Sequence, residues 1–107
     1  MDLLEVDLRT LASAHAGGAV VLDVRNPDEY NAGHVPGAKL IPLGELSARQ
    51  DEIPGGDPIY VICATGGRSL AATKAMIEAV YRAVSVMGGT KAWIEAGHPV
   101  VKGMTEL

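Results

Sequence analysis

Four short apolar runs, each parted from the next by a turn or a stretch of helical periodicity, constrain this chain more than any other feature. They are Val20-Val21-Leu22-Asp23-Val24, Lys39-Leu40-Ile41, Ile59-Tyr60-Val61-Ile62-Cys63 and Ala83-Val84-Ser85-Val86. Gly17-Gly18 and Asn26-Pro27 bound the first, Pro54-Gly55-Gly56-Asp57-Pro58 precedes the third, and Gly88-Gly89 closes the fourth. Runs of this length and composition read as fully buried strands. Alternation of such strands with helices is the signature of an α/β fold, a parallel sheet with helices on its faces. Leu3 to Val6 adds a weaker candidate edge strand.

The helices are expected between these runs. Asp7 is placed to cap Leu8 to His15. Pro27-Asp28-Glu29-Tyr30 opens a short turn with acidic residues where the helix dipole favours them. A brief helix is expected over Leu43 to Ala48, and a last one over Thr90 to Ala96, ending at Gly97 before Pro99. The main helix is predicted from about Arg68 to Arg82. Lys74, Glu78 and Arg82 mark its wet face, while Ala72, Met76, Ala79 and Val80 are expected to pack on the sheet.

A chain of 107 residues fits a single domain spanning 1–107. Phe is absent and aromatics make up 4%, so the core must be filled by Val, Ile, Leu, Ala and Met. The net charge of −4 comes with scattered cations and no basic stripe, which argues against nucleic acid as a partner. No apolar run approaches the roughly 20 residues of a membrane helix. Met1-Asp2-Leu3-Leu4-Glu5 lacks the pattern of a secretory signal, and the one cysteine excludes an internal disulfide. A cytoplasmic, reducing compartment is therefore expected.

The chemistry gathers where the best strand ends. Cys63-Ala64-Thr65-Gly66-Gly67-Arg68-Ser69 leads from that strand directly into the main helix. Ligands of open α/β sheets bind beyond strand carboxyl ends and near helix N-termini. A loop there can turn successive N–H groups inward as an anion nest. Gly66 and Gly67 permit the positive φ values this requires. The helix dipole and Arg68 would both lower the thiol pKa and yield a thiolate nucleophile. Against this stands the plain alternative that a single cysteine at a strand end is a small buried hydrophobe.

The loop resembles the rhodanese pattern Cys-x-x-Gly-x-Arg-Ser at Cys63, Gly66, Arg68 and Ser69. Leu22-Asp23-Val24-Arg25, Asp28-Glu29-Tyr30 and Gly33-His34-Val35-Pro36-Gly37-Ala38 extend the resemblance, and Gly88-Gly89, Trp93, Gly97 and Pro99 close it. It implies a single open, five-stranded, mostly parallel sheet with helices on both faces. It also implies ping-pong sulfur transfer through a persulfide on Cys63. No cofactor and no metal are expected. The partners implied are a small sulfur donor such as thiosulfate and a thiol or protein acceptor. Backbone N–H groups of Ala64, Thr65, Gly66, Gly67, Arg68 and Ser69 would cradle the substrate, with Arg68 orienting the loop. Ala64 stands where many members of the family carry a basic side chain, which leaves the pocket less positive.

Two other functions share this resemblance. A cysteine phosphatase or arsenate reductase on the same fold would need one more residue than the four between Cys63 and Arg68. A non-catalytic regulatory module would be favoured by loss of the cysteine, which is present. Asp23 and Arg25 are candidates for loop support or for a buried pair tying strand to turn. Glu29 and Tyr30 read as a helix start and a core filler. His34 reads as structural, bonding loop backbone, and Trp93 as a core anchor. His15, His34 and His98 lie too far apart in sequence to suggest a metal site.

Overall fold

A computed structural model describes residues 4–106; Met1, Asp2 and Leu3 of the N-terminal reading lie outside them. Five strands form one sheet in the order β1-β5-β4-β2-β3, every pairing parallel. They are β1 (Glu5–Val6), β2 (Val21–Asp23), β3 (Lys39–Leu40), β4 (Ile59–Ile62) and β5 (Ala83–Val86). The helices are α1 (Leu8–Ala16), α2 (Pro27–Ala32), α3 (Gly67–Glu78) and α4 (Gly89–Glu95). The expected edge strand is thus present as the two residues of β1.

Local chemistry accounts for the boundaries. The carboxylate of Asp7 accepts the N–H of Thr10 at 2.8 Å and caps α1 as expected. In α2, Pro27 follows Asn26, whose N–H donates to the Glu29 carboxylate at 3.1 Å. Gly97, at φ +85°, lies just beyond α4.

Residues of alternate parity serve opposite faces of the sheet. Leu22, Val24, Ile59, Val61, Cys63 and Ala83 join Ala72 and Met76 of α3 and Leu46 in one core. Val21, Ile62 and Val86 join Leu11, Tyr30, Val35 and Trp93 in the other, beneath α1, α2 and α4. Burial on both faces is what lets the strands be nearly continuous apolar runs.

Three expectations for the helices need correction. α3 ends at Glu78, so Arg82 lies outside it and pairs with Asp57 at 3.3 Å. Val80, expected against the sheet, is 94% exposed with φ +65°. The chain must reverse there to enter β5, and the N–H of Tyr81 returns to the Met76 carbonyl. Helical periodicity in the sequence therefore ran past the point where topology stops the helix. Between β3 and β4, Leu43–Glu45 forms a single 3₁₀ turn instead of the brief helix expected through Ala48, and Gln50–Glu52 forms another.

Candidate active site

Cys63 sits one residue beyond β4, at the carboxyl edge of the sheet, with α3 starting four residues later. The chain curls between them through Gly66, at φ +118°, a conformation that glycine adopts without strain. Gly67 needs no such freedom, because it is already the first residue of α3. The curl points N–H groups at the sulfur. The N–H of Gly66 lies 3.1 Å from Cys63 Sγ, and those of Thr65 and Ser69 face it too. Cys63 itself is 1% exposed, the floor of the loop and not its rim.

The outer side of the curl is held by a second helix. The N–H groups of Thr90 and Lys91, in the first turn of α4, donate to the carbonyls of Cys63 and Ala64 at 2.8 and 3.0 Å. Carbonyls drawn outward leave the following N–H groups turned inward, toward the sulfur. This approach requires Gly89. A Cβ there would lie 2.5 Å from both the Cys63 and Ala64 carbonyl oxygens, and φ is +58°. The Gly88-Gly89 pair, read from sequence as a strand terminator, is the seat of the cysteine loop.

Burial pushes the Cys63 thiol up. The Ser69 hydroxyl, 3.4 Å from Sγ, and the N–H groups of Ser69, Gly66 and Thr65 outweigh it and bring the thiol below its ordinary value. Arg68 turns elsewhere. Its guanidinium forks onto Glu29 at 2.7 and 2.8 Å, which holds the Glu29 carboxyl at about 2. The thiolate is thus favoured first by hydrogen bonds, where the sequence had suggested Arg68 and the helix dipole.

Asp23 and Arg25 are buried and bonded to each other, through Nε and Nη2 at 2.7–3.1 Å. Arg25 also donates to the Gly33 carbonyl at 2.9 Å. The pair thus ties the end of β2 to the turn after α2.

A loop of inward N–H groups thus closes on a cysteine at the mouth of a parallel sheet. Residues 8–96 match the family model described as Rhodanese-like domain. The chain belongs to the rhodanese-like domain family. A rhodanese-related protein from Thermoplasma volcanium has the same fold, with TM-score 0.83 and 34% identity over 91% of this chain and 96% of that one. A sulfurtransferase from Allochromatium vinosum is 30% identical over 100 residues, 91% of this chain and 94% of its own. The Bacillus subtilis protein YrkF is 40% identical over 74 residues, 68% of this chain. The chain spans only 40% of the length of YrkF.

Within this rhodanese-like domain, the structure also gives partners to residues that lie away from the cysteine loop in sequence. Glu29 was legible only as a helix start, since its partner Arg68 lies 39 residues away. Ser85 carried one signal, a polar residue at an inward position of a buried strand. His34 is fully buried, stacked on Tyr30, with its ring nitrogens 2.8 and 2.6 Å from the Tyr30 and Thr105 carbonyls. It bonds loop backbone, as expected. Trp93 is 2% exposed, and its indole N–H donates to the Pro99 carbonyl at 2.8 Å, an anchor for the segment after α4. Among the described residues no His, Cys, Asp and Glu cluster could hold a metal ion, and no helix is long and apolar enough to cross a membrane.

Proposed function

We propose that this rhodanese-like domain is a sulfurtransferase that carries a sulfane sulfur on Cys63 as a persulfide. The observation that carries the reading is the ring of N–H donors closing on Cys63 Sγ, with Gly66 N at 3.1 Å. Such a ring stabilises negative charge on the attacking sulfur and, after transfer, on the outer sulfur of the persulfide.

The reaction runs in two displacements. The Cys63 thiolate attacks the outer sulfur of a donor such as thiosulfate, forming a new S–S bond. The donor's own S–S bond breaks, and sulfite leaves with its electron pair. An acceptor thiolate then attacks the outer sulfur of the persulfide, and Cys63 departs as thiolate, restored for another cycle. No external oxidant or reductant enters. Ala64 to Ser69 supply the cradle, Arg68 anchors the start of α3 through Glu29, and the Asp23–Arg25 pair fixes the adjacent strand end.

Burial of Cys63 favours slim donors whose terminal sulfur can reach the floor of the loop. Intact-mass analysis after incubation with thiosulfate or mercaptopyruvate tests the reading. A gain of one sulfur atom, removed by a reductant and missing from Cys63→Ser, is the expected result. Unchanged mass with every donor, from folded protein, would overturn it.

A further inference from the structure

Behind the loop, three buried groups form a chain that the displacement chemistry does not account for. Ser69 Oγ stands 3.4 Å from Cys63 Sγ, 3.1 Å from the Gly66 carbonyl oxygen and 2.8 Å from Ser85 Oγ. Ser69 and Ser85 are fully buried. Ser85 lies on β5, in register with Val61 of β4. Each hydroxyl has one proton to give and two lone pairs to receive, while a carbonyl only accepts.

Counting protons fixes the pattern. With a neutral thiol, the Cys63 S–H and the Ser85 O–H both donate to Ser69 Oγ, and Ser69 donates to the Gly66 carbonyl. Every group is then satisfied, as the large majority of buried polar groups are. Once the sulfur is charged it can only accept, and the single proton of Ser69 is the one the side chain at that position can offer. Were Ser69 to donate to Ser85 instead, the sulfur would lose it.

We propose that Ser85 is a positioning residue for Cys63: by donating to Ser69 Oγ, it orients that hydroxyl and strengthens it as a donor, so that its proton swings from the Gly66 carbonyl to the sulfur when that sulfur is charged. The inference rests on the reading of Cys63 as the sulfur carrier, and it names a residue on a different strand as part of its setting. The charged groups about the site are the Arg68–Glu29 pair from α3 and α2, the buried Asp23–Arg25 pair beyond β2, and the exposed Lys91 on α4. None of them bonds to either serine hydroxyl, so the relay can be varied while these charges stay in place.

The test is the pH dependence of Cys63 alkylation by iodoacetamide in four proteins: native, Ser69→Ala, Ser85→Ala and the double variant. Ser69→Ala is expected to raise the midpoint, and Ser85→Ala to raise it by about half a pH unit, the scale of one modest hydrogen bond. The double variant should match Ser69→Ala alone, because Ser85 acts through Ser69. Ser85→Thr, which keeps the hydroxyl, should return the midpoint to the native value. An unchanged midpoint in folded Ser85→Ala, or a further rise of the same size in the Ser69→Ala background, would overturn the assignment. Alkylation needs no sulfur donor, so this outcome is separable from failure of the persulfide reading, which intact mass alone decides.

Discussion

Arg68 spends its guanidinium on Glu29, not on Cys63: two hydrogen bonds of 2.7 and 2.8 Å join the first turn of α3 to the first turn of α2. The pair is partly exposed, at 36% and 30% of the side chains. It therefore contributes about 1 kcal/mol, the upper range for surface pairs, through its forked geometry. Its larger consequence is electrostatic, because the guanidinium that follows the cysteine loop is neutralised by a carboxylate.

Glu29→Gln tests both roles. The hydrogen bond from Arg68, first among its causes, holds the Glu29 carboxyl at about 2 against an ordinary 4.5. A lowered acid pKa contributes stability that is full above pH 4.5 and is lost as pH falls toward 2. Urea unfolding should show the native protein ahead of the variant near neutrality, with the gap closing across that window. A gap independent of pH would mean the glutamate acts through packing. The freed Arg68 should also speed alkylation by anionic iodoacetate relative to neutral iodoacetamide, roughly threefold.

The Cys63 thiol should titrate below the roughly 8.5 of a free cysteine. Burial works against this, and the Ser69 hydroxyl with the N–H groups of Ser69, Gly66 and Thr65 outweighs it. Arg68→Ala should accordingly raise the alkylation midpoint less than Ser69→Ala does. The reverse order would return the arginine to the leading role that sequence alone suggested.

Two glycines near the loop should respond in opposite directions. Gly89→Ala places a Cβ 2.5 Å from two backbone oxygens at φ +58°. A loss of roughly 2 to 4 kcal/mol is expected, from positive-φ strain and displaced backbone together, with loss of sulfur loading. Gly67 is the first helical residue, and a Cβ there meets nothing within 4 Å. Gly67→Ala should raise stability by roughly 0.5 to 1 kcal/mol, read as a higher unfolding midpoint.

Loop length should separate sulfur from phosphate chemistry. N–H donors select an anion by size, since each must fall about 2.9 Å from an acceptor. With four residues between Cys63 and Arg68, the native protein should take sulfur and show negligible hydrolysis of aryl phosphates. One glycine inserted between Gly66 and Gly67 should widen the ring and weaken sulfur loading. Cleavage of aryl phosphates by native protein through Cys63, with no sulfur taken from any donor, would replace the assignment.

Much of this was legible in the sequence because it is local. β-Branched runs such as Ile59 to Cys63 carry their own strand signal, Asp7 caps α1 with its own carboxylate, and Cys63 announces its chemistry by type and by the glycine that follows three residues on. What the tertiary structure decided lies in contacts across distant segments. Helical periodicity could not say that α3 stops at Glu78, because the reversal that exposes Val80 is dictated by where β5 must pair. Nor could it say that Arg68 meets Glu29, that Ser85 stands behind Ser69, or that Gly89 admits α4 to the Cys63 carbonyl. Local propensity fixes which residues can bend, cap or react. Which charges cancel and which hydroxyl meets the sulfur depends on strand order and helix approach, set by packing the two cores as wholes.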